Sequence, residues 1–188
     1  MKLLFVRHGE TNYNRDKLVQ GWQETELTAL GELQAKEAGE QLRNYDIDVI
    51  FSSDLERALR TSEIINKELR QEVRIFQDWL LRERYLGEIE NTNGTDQILL
   101  EDEQIVGRDM ETKANVRKRV VAFLRGLKLL TQEFETAVVV THGGFLACLN
   151  KIHTGKKSEY HDFKNGKIYE YDLDDLLEKI ETREAIGG

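Results

Sequence analysis

The hydrophobic positions along this chain switch repeatedly between two periods. Lys2 to Val6 reads KLLFV, a short continuous apolar run of the kind that forms a strand buried on both faces. Arg7, His8, Gly9, Glu10 and Thr11 end it at once. From Thr28, whose side chain suits an N-cap, Gly31, Ala35, Ala38 and Leu42 recur at helical steps. Their spacing predicts one stripe of a helix, and their small size predicts close packing on a sheet. Asp48 to Phe51 (DVIF) predicts a second buried strand, ended by Ser52, Ser53 and Asp54. Asp54 is placed as the cap of a helix with Leu55, Ala58, Leu59, Ser62, Ile65 and Leu69 on one face. Val73 to Phe76 predicts a third strand. Residues 112–131 return to helix, with Val116, Val120, Phe123, Leu124, Leu127 and Leu130 in register. Ala137 to Val140 (AVVV) is the strongest strand and runs into Thr141, His142, Gly143 and Gly144. A helix over Phe145 to His153, a strand over Lys167 to Tyr171 and a short acidic helix follow. Gly87 to Glu111 shows little period and reads as a long excursion. Strands alternate with helices throughout, which predicts the α/β class with a mainly parallel sheet. Neither a repeat nor a linker interrupts the pattern, so residues 1–188 are expected to form a single domain.

Composition narrows the function classes. With 188 residues a chain builds a core without staples, and the single cysteine excludes an internal disulfide framework and a cysteine-based zinc site. The formal net charge of −8 is the wrong sign for nucleic acid, which is held by basic surfaces. The N-terminus shows no long apolar run, so neither a signal peptide nor a membrane span is expected, and the default reading is a cytoplasmic protein. Proline is absent, which leaves no polyproline linker.

Two strand ends share a design. Val6-Arg7-His8-Gly9-Glu10 and Val140-Thr141-His142-Gly143-Gly144 each place a histidine just past an apolar strand and beside glycine. In a parallel sheet ligands lie beyond the carboxyl ends of the strands. If the two strands are neighbours, both imidazoles point into one cleft, and Arg7 adds a guanidinium. Arg57 falls in the first turn of a helix that also follows a strand. Arginine forks and helix N-termini both favour tetrahedral oxyanions. Two histidines with two arginines therefore describe a phosphate pocket. A zinc reading has little support, because no His-x-x-x-His pair occurs.

The residues around these ends carry a resemblance. Arg7-His8-Gly9-Glu10-Thr11 with Asn14 is similar to the signature of the histidine phosphatase superfamily, in the branch that includes cofactor-dependent phosphoglycerate mutases. Gly21-Trp22, Leu27-Thr28, Gly31, Gln34-Ala35, Gly39 and Leu42 follow the family's next block. Ser52-Ser53-Asp54-Leu55-Glu56-Arg57-Ala58 with Thr61 resembles its arginine block. Leu81-Arg82-Glu83-Arg84 with Gly87 resembles the block of the catalytic carboxyl, and Thr141-His142-Gly143-Gly144 the second histidine block. Two positions depart from the pattern. Glu26 stands where the family usually has proline, and Asn91 follows Glu90 where it usually has glycine.

The resemblance implies a three-layer α/β/α sandwich and a phosphohistidine intermediate on His8. It makes Glu83 the general acid and base, and Arg7, Arg57, His142 and Asn14 the donors to the phosphoryl oxygens. Glu10, Thr11, Gly21, Trp22 and Gly143 are expected beside them as substrate contacts, Glu10 more as a hydrogen-bonding residue than as the proton donor. No cofactor or metal is implied, because two arginines supply the positive charge. The expected partner is a small phosphorylated metabolite, with neither nucleic acid nor membrane, and a homodimer is allowed.

A phosphomonoesterase, a phosphoglycerate mutase and a non-catalytic phosphate-binding protein on the same fold all fit this frame. The full set of catalytic residues disfavours the last. Residues 87–111 carry eight acids against one base, Arg108, and so hold −7 of the −8 net charge. If this excursion roofs the cleft, it repels a second anionic group. That favours the phosphatase over the mutase and neutral or cationic leaving groups over polyanionic ones. If it faces solvent, it serves solubility.

Overall fold

A computed structural model describes residues 1–93, 104, 108–130 and 132–187. The chain forms β1 (Lys2–Arg7), α1 (Asn12–Asp16), α2 (Ala29–Leu42), β2 (Val49–Ser52), α3 (Glu56–Glu68) and β3 (Arg74–Gln77). There follow α4 (Lys113–Lys128), β4 (Thr136–Thr141), α5 (Gly143–Thr154), β5 (Ile168–Asp172) and α6 (Leu173–Gly187). The five strands make one sheet in the order β3-β2-β4-β1-β5. The first four run parallel, and β5 pairs antiparallel with β1 at the edge.

The apolar runs are buried on both faces, and their side chains divide by a period of two. Leu3, Phe5, Val49, Phe51, Ala137 and Val139 pack with Val120, Leu124, Leu146 and Leu176 of α4, α5 and α6. Leu4, Val6, Ile50, Val138 and Val140 pack with Ala38 and Leu42 of α2 and Ala58 and Ile65 of α3. These are the three layers of an α/β/α sandwich. Thr28 caps α2 through the Gly31 N–H, as its spacing predicts.

Asp54 differs from the expectation. The N-cap of α3 is Leu55, with no side-chain bond. The Asp54 carboxylate instead receives a bidentate pair of bonds from Arg82, each 2.7 Å. A two-point charge-assisted pair outcompetes one cap bond, and it ties the β2 end to the segment that carries Glu83.

Position in the sheet creates the site. β1 and β4 are neighbours in register, with Arg7 opposite Thr141, so the two histidine-bearing strand ends open side by side. The His8 N–H donates to the Thr141 carbonyl at 3.0 Å and closes the last rung.

Candidate active site

The two imidazoles meet with centroids 5.1 Å apart. His8 is 2% exposed and His142 fully buried. Nδ1 of His8 lies 2.8 Å from the Gly9 carbonyl. A carbonyl only accepts, so Nδ1 carries the proton and Nε2 keeps its lone pair. Nε2 of His142 is oriented by the Ser53 hydroxyl at 2.8 Å, and its Nδ1 has no partner. Burial first, then the Arg57 and Arg7 charges, hold His8 well below the usual histidine range. Burial and Arg57, followed by His8 and Arg7, do the same for His142. Both rings are therefore neutral at physiological pH.

Arg7 and Arg57 are anchored on backbone carbonyls. Arg7 Nη1 donates to Phe163 O at 2.6 Å and Tyr160 O at 3.2 Å. Arg57 donates to Gly21 O at 2.8 Å and Gln23 O at 2.9 Å. Gly21 adopts φ 52° there, and a Cβ would strike the Glu90 carboxylate. The Nε of each arginine is buried without a partner. Burial lowers the pKa of Arg57 to about 10, so it stays charged. Among the described residues neither arginine has a carboxylate ion-pair partner, which leaves their charge for a ligand.

Glu83 is held by backbone donors. Its Oε1 accepts from Arg84 N at 2.8 Å and its Oε2 from Gly144 N at 3.0 Å. Its carbonyl accepts from Trp22 Nε1 at 2.7 Å and Arg119 Nη2 at 3.2 Å. The buried Arg119 also clamps Glu111 and the carbonyls of Leu80 and Arg82. The two glycines after His142 are required by crowding. A Cβ on Gly143 would lie 2.8 Å from the Tyr160 carbonyl oxygen and 3.3 Å from the Arg7 guanidinium carbon, and one on Gly144 would collide with Glu83 Oε1.

His8, Arg7, Arg57, Glu83, Asn14 and Gly21 line one cavity of about 750 Å³. Four expected substrate contacts do not line it. The Glu10 carboxylate is taken by the Thr28 hydroxyl at 2.8 Å. Thr11 caps α1 through a box with Asn14. Trp22 sits behind Glu83, its ring against Tyr85 and the Arg82 guanidinium. Gly143 is buried under Arg7. His142 is packed behind His8 rather than in the wall, as its burial requires. Asn165 was not legible in the sequence: its Nδ2 donates to the His8 carbonyl at 2.8 Å and lies 3.4 Å from Asn14 Oδ1. It arrives from 157 positions away, and no local pattern marks it. Cys148 packs against the core and is half-buried in the cavity wall, where burial raises its pKa to about 11.

The departure at Asn91 has a local cause. Asn91 adopts φ 68°, a left-handed conformation that asparagine tolerates better than most residues. Its side-chain oxygen accepts from the Tyr13 hydroxyl.

The acidic excursion is described only in part. Asp96, Glu101, Asp102 and Glu103 lie outside the described residues. None of its four described acids lines the cavity. Glu88 pairs with Arg108, Glu90 holds the backbone of Trp22 and Leu86, Asp109 accepts from Tyr85, and Glu111 pairs with Arg119. Among the described residues the lining is cationic, with Glu83 and Glu159 its only carboxylates. The expected repulsion of anionic leaving groups finds no support in this wall. No described helix is long and apolar enough to cross a membrane.

The chain is similar to known proteins. The chain is 36% identical over 160 residues to the probable phosphoglycerate mutase GpmB of Salmonella arizonae, covering 79% of this chain and 73% of that one. It is 33% identical over 153 residues to the uncharacterized phosphatase PhoE of Bacillus subtilis, covering 80% and 76%. It spans about two fifths of the length of the 2,3-bisphosphoglycerate-dependent phosphoglycerate mutases that it also matches. Bacillus stearothermophilus YhfR superposes with a TM-score of 0.78 at 26% identity, over 91% of this chain and 90% of that one. The model of the histidine phosphatase superfamily, branch 1, matches residues 3–182. With one neutral histidine at each of two neighbouring strand ends and that match over nearly its whole length, this chain belongs to the histidine phosphatase superfamily.

Proposed function

We propose that this protein is a metal-independent phosphomonoesterase working through a phosphohistidine on His8. The observation that carries the reading is His8 itself, a neutral ring with a free Nε2 lone pair beside two charged, carbonyl-anchored arginines. The lone pair attacks phosphorus, and the bond from phosphorus to the alcohol oxygen breaks. The Glu83 carboxyl gives its proton to that oxygen, and the alcohol leaves. Glu83, now ionised, takes a proton from water as the water oxygen attacks phosphorus. The N–P bond breaks, its electron pair returns to Nε2, and phosphate departs. Covalent catalysis splits one displacement into two easier ones. Arg7 and Arg57 offer preorganised charge to the equatorial oxygens throughout, which is where transfer needs it.

A phosphoglycerate mutase is the second reading. The cationic lining and the name of GpmB favour it. Size favours hydrolysis. Cavities of roughly 300–1,000 Å³ suit ligands of drug size, and about 750 Å³ leaves room for water around a three-carbon acid. The name of PhoE points the same way. The test is a panel of sugar monophosphates, bisphosphates and amino-alcohol phosphates, run beside a 3-phosphoglycerate mutase assay. Net phosphate release with no mutase turnover is expected. His8→Ala should abolish release and the acid-labile, radiolabelled phosphoenzyme while the fold is retained. Substantial release by that variant would sink the nucleophile assignment, and efficient isomerisation of 3-phosphoglycerate would install the mutase.

A further inference from the structure

The cavity does not end at His8. It follows one face of α5, where Gly144, Ala147, Cys148, Lys151 and Ile152 succeed one another at helical spacing. Gly144 marks the reacting end through its bond to Glu83. Lys151 stands two helical turns further on, roughly 10 Å at about 1.5 Å per residue. Ala147, the neutral Cys148 thiol and Val116 of α4 add apolar surface to the wall.

The far end is cationic. Arg117 of α4, Lys151 and Arg183 of α6 are among the lining residues; the charges of Arg117 and Lys151 both act on the Cys148 thiol, and Arg183 donates its Nε to Ile152 O at 2.9 Å. Among the described residues none of these three has a carboxylate ion-pair partner. The carboxylate in that part of the wall, Glu159, pairs with Lys157 at 3.3 Å. Elsewhere on this acidic protein arginines and lysines are commonly matched, as Arg60 with Glu32, Arg43 with Glu68 and Arg125 with Glu184 show. Unmatched like charges around one cavity repel one another and focus a positive potential into it. A ligand anion relieves that repulsion.

We infer that Arg117, Lys151 and Arg183 form a second anion subsite. The substrate is then a phosphomonoester whose alcohol carries a further anionic group about two helical turns from phosphorus, across an apolar body. The inference rests on the phosphomonoesterase reading only for what happens at the near end. A three-carbon phosphoglycerate is too short to reach from one end to the other. Carboxylate and phosphate share the required chemistry, and the analogues below separate them.

The probes are alkyl monophosphates long enough to span two helical turns, ending in a carboxylate, a phosphonate or a neutral primary amide. Calorimetric titration of His8→Ala protein reads binding without turnover. Either anionic probe should bind about tenfold tighter than the amide, the scale of one hydrogen bond to a charged group. The tighter of the two identifies the anion. The preference should fall below about threefold in His8→Ala protein that also carries Arg117→Gln and Lys151→Gln, and partly in one carrying Arg183→Gln. Equal binding of the three probes, or a preference that survives the double substitution, overturns the subsite. Turnover of the same probes by protein with His8 intact is a separate arm. A binding preference without hydrolysis leaves the subsite standing and removes the phosphatase reading.

Discussion

Gly144→Ala is the sharpest perturbation the site offers. The new methyl would stand more than an ångström inside van der Waals contact with Glu83 Oε1, and 3.2 Å from its Cδ. Gly144 is the second residue of α5 and has ordinary helical backbone, so the substitution carries no backbone strain. The carboxylate must retreat, and with it go its bonds from Gly144 N and Arg84 N. A misplacement of about 1 Å costs on the order of 10²-fold in rate, within the roughly 10²–10⁴-fold that general acid–base catalysis contributes. Alkyl phosphates, whose leaving group needs a proton, should therefore lose about 100-fold in kcat/KM. Aryl phosphates with a good leaving group should lose far less in the first step. Gly126→Ala is the matched control, because nothing lies within 4 Å of a Cβ there. It should raise stability by about 0.5–1 kcal/mol through helix propensity alone and leave activity unchanged. The assay is steady-state kinetics on one alkyl and one nitrophenyl phosphate, with thermal unfolding alongside. Alkyl phosphate hydrolysis within about threefold of the parent would refute the reasoning, as would equal loss on both substrates.

Two further outcomes are expected. Arg57→Lys keeps a charge but loses the fork that holds Gly21 O and Gln23 O, so kcat/KM should fall about 10²–10³-fold, the scale of a lost oxyanion donor. A change below about tenfold would remove Arg57 from phosphoryl binding. Stability should depend on pH through the histidines. His8 and His142 are both lowered well below 6.5 in the fold. The unfolded chain then binds more protons between those values and 6.5, so their contribution is complete above pH 6.5 and lost as pH falls below it. Each such group contributes a slope of up to about 1.4 kcal/mol per pH unit. Urea unfolding from neutral to mildly acidic pH should therefore be less pH-dependent in His142→Gln than in the parent, and parallel slopes would contradict the assignment.

The apolar runs KLLFV and AVVV, each ending in a histidine and a glycine, determined most of the fold and the centre of the site. A buried strand leaves a short, period-two signature, and chemistry beyond its carboxyl end follows immediately in the chain. Other features were decided only by the tertiary structure. The sequence makes Asp54 a helix cap, whereas the fold sets it beside Arg82, which takes its carboxylate. Trp22 and Arg119 both converge on the Glu83 carbonyl, and Asn165 reaches His8 from the far end of the chain. The acidic composition of residues 87–111 is plain in the sequence, yet its described carboxylates turn to Arg108, Arg119 and backbone donors rather than to the cavity. No local pattern marks Lys151 and Arg183, which α5 and α6 bring to one cavity. Periodicity and strand-end motifs are local, so one chain records them. Which distant charges meet, and which are left without a partner, depends on how the layers pack, and only the packed fold decides it.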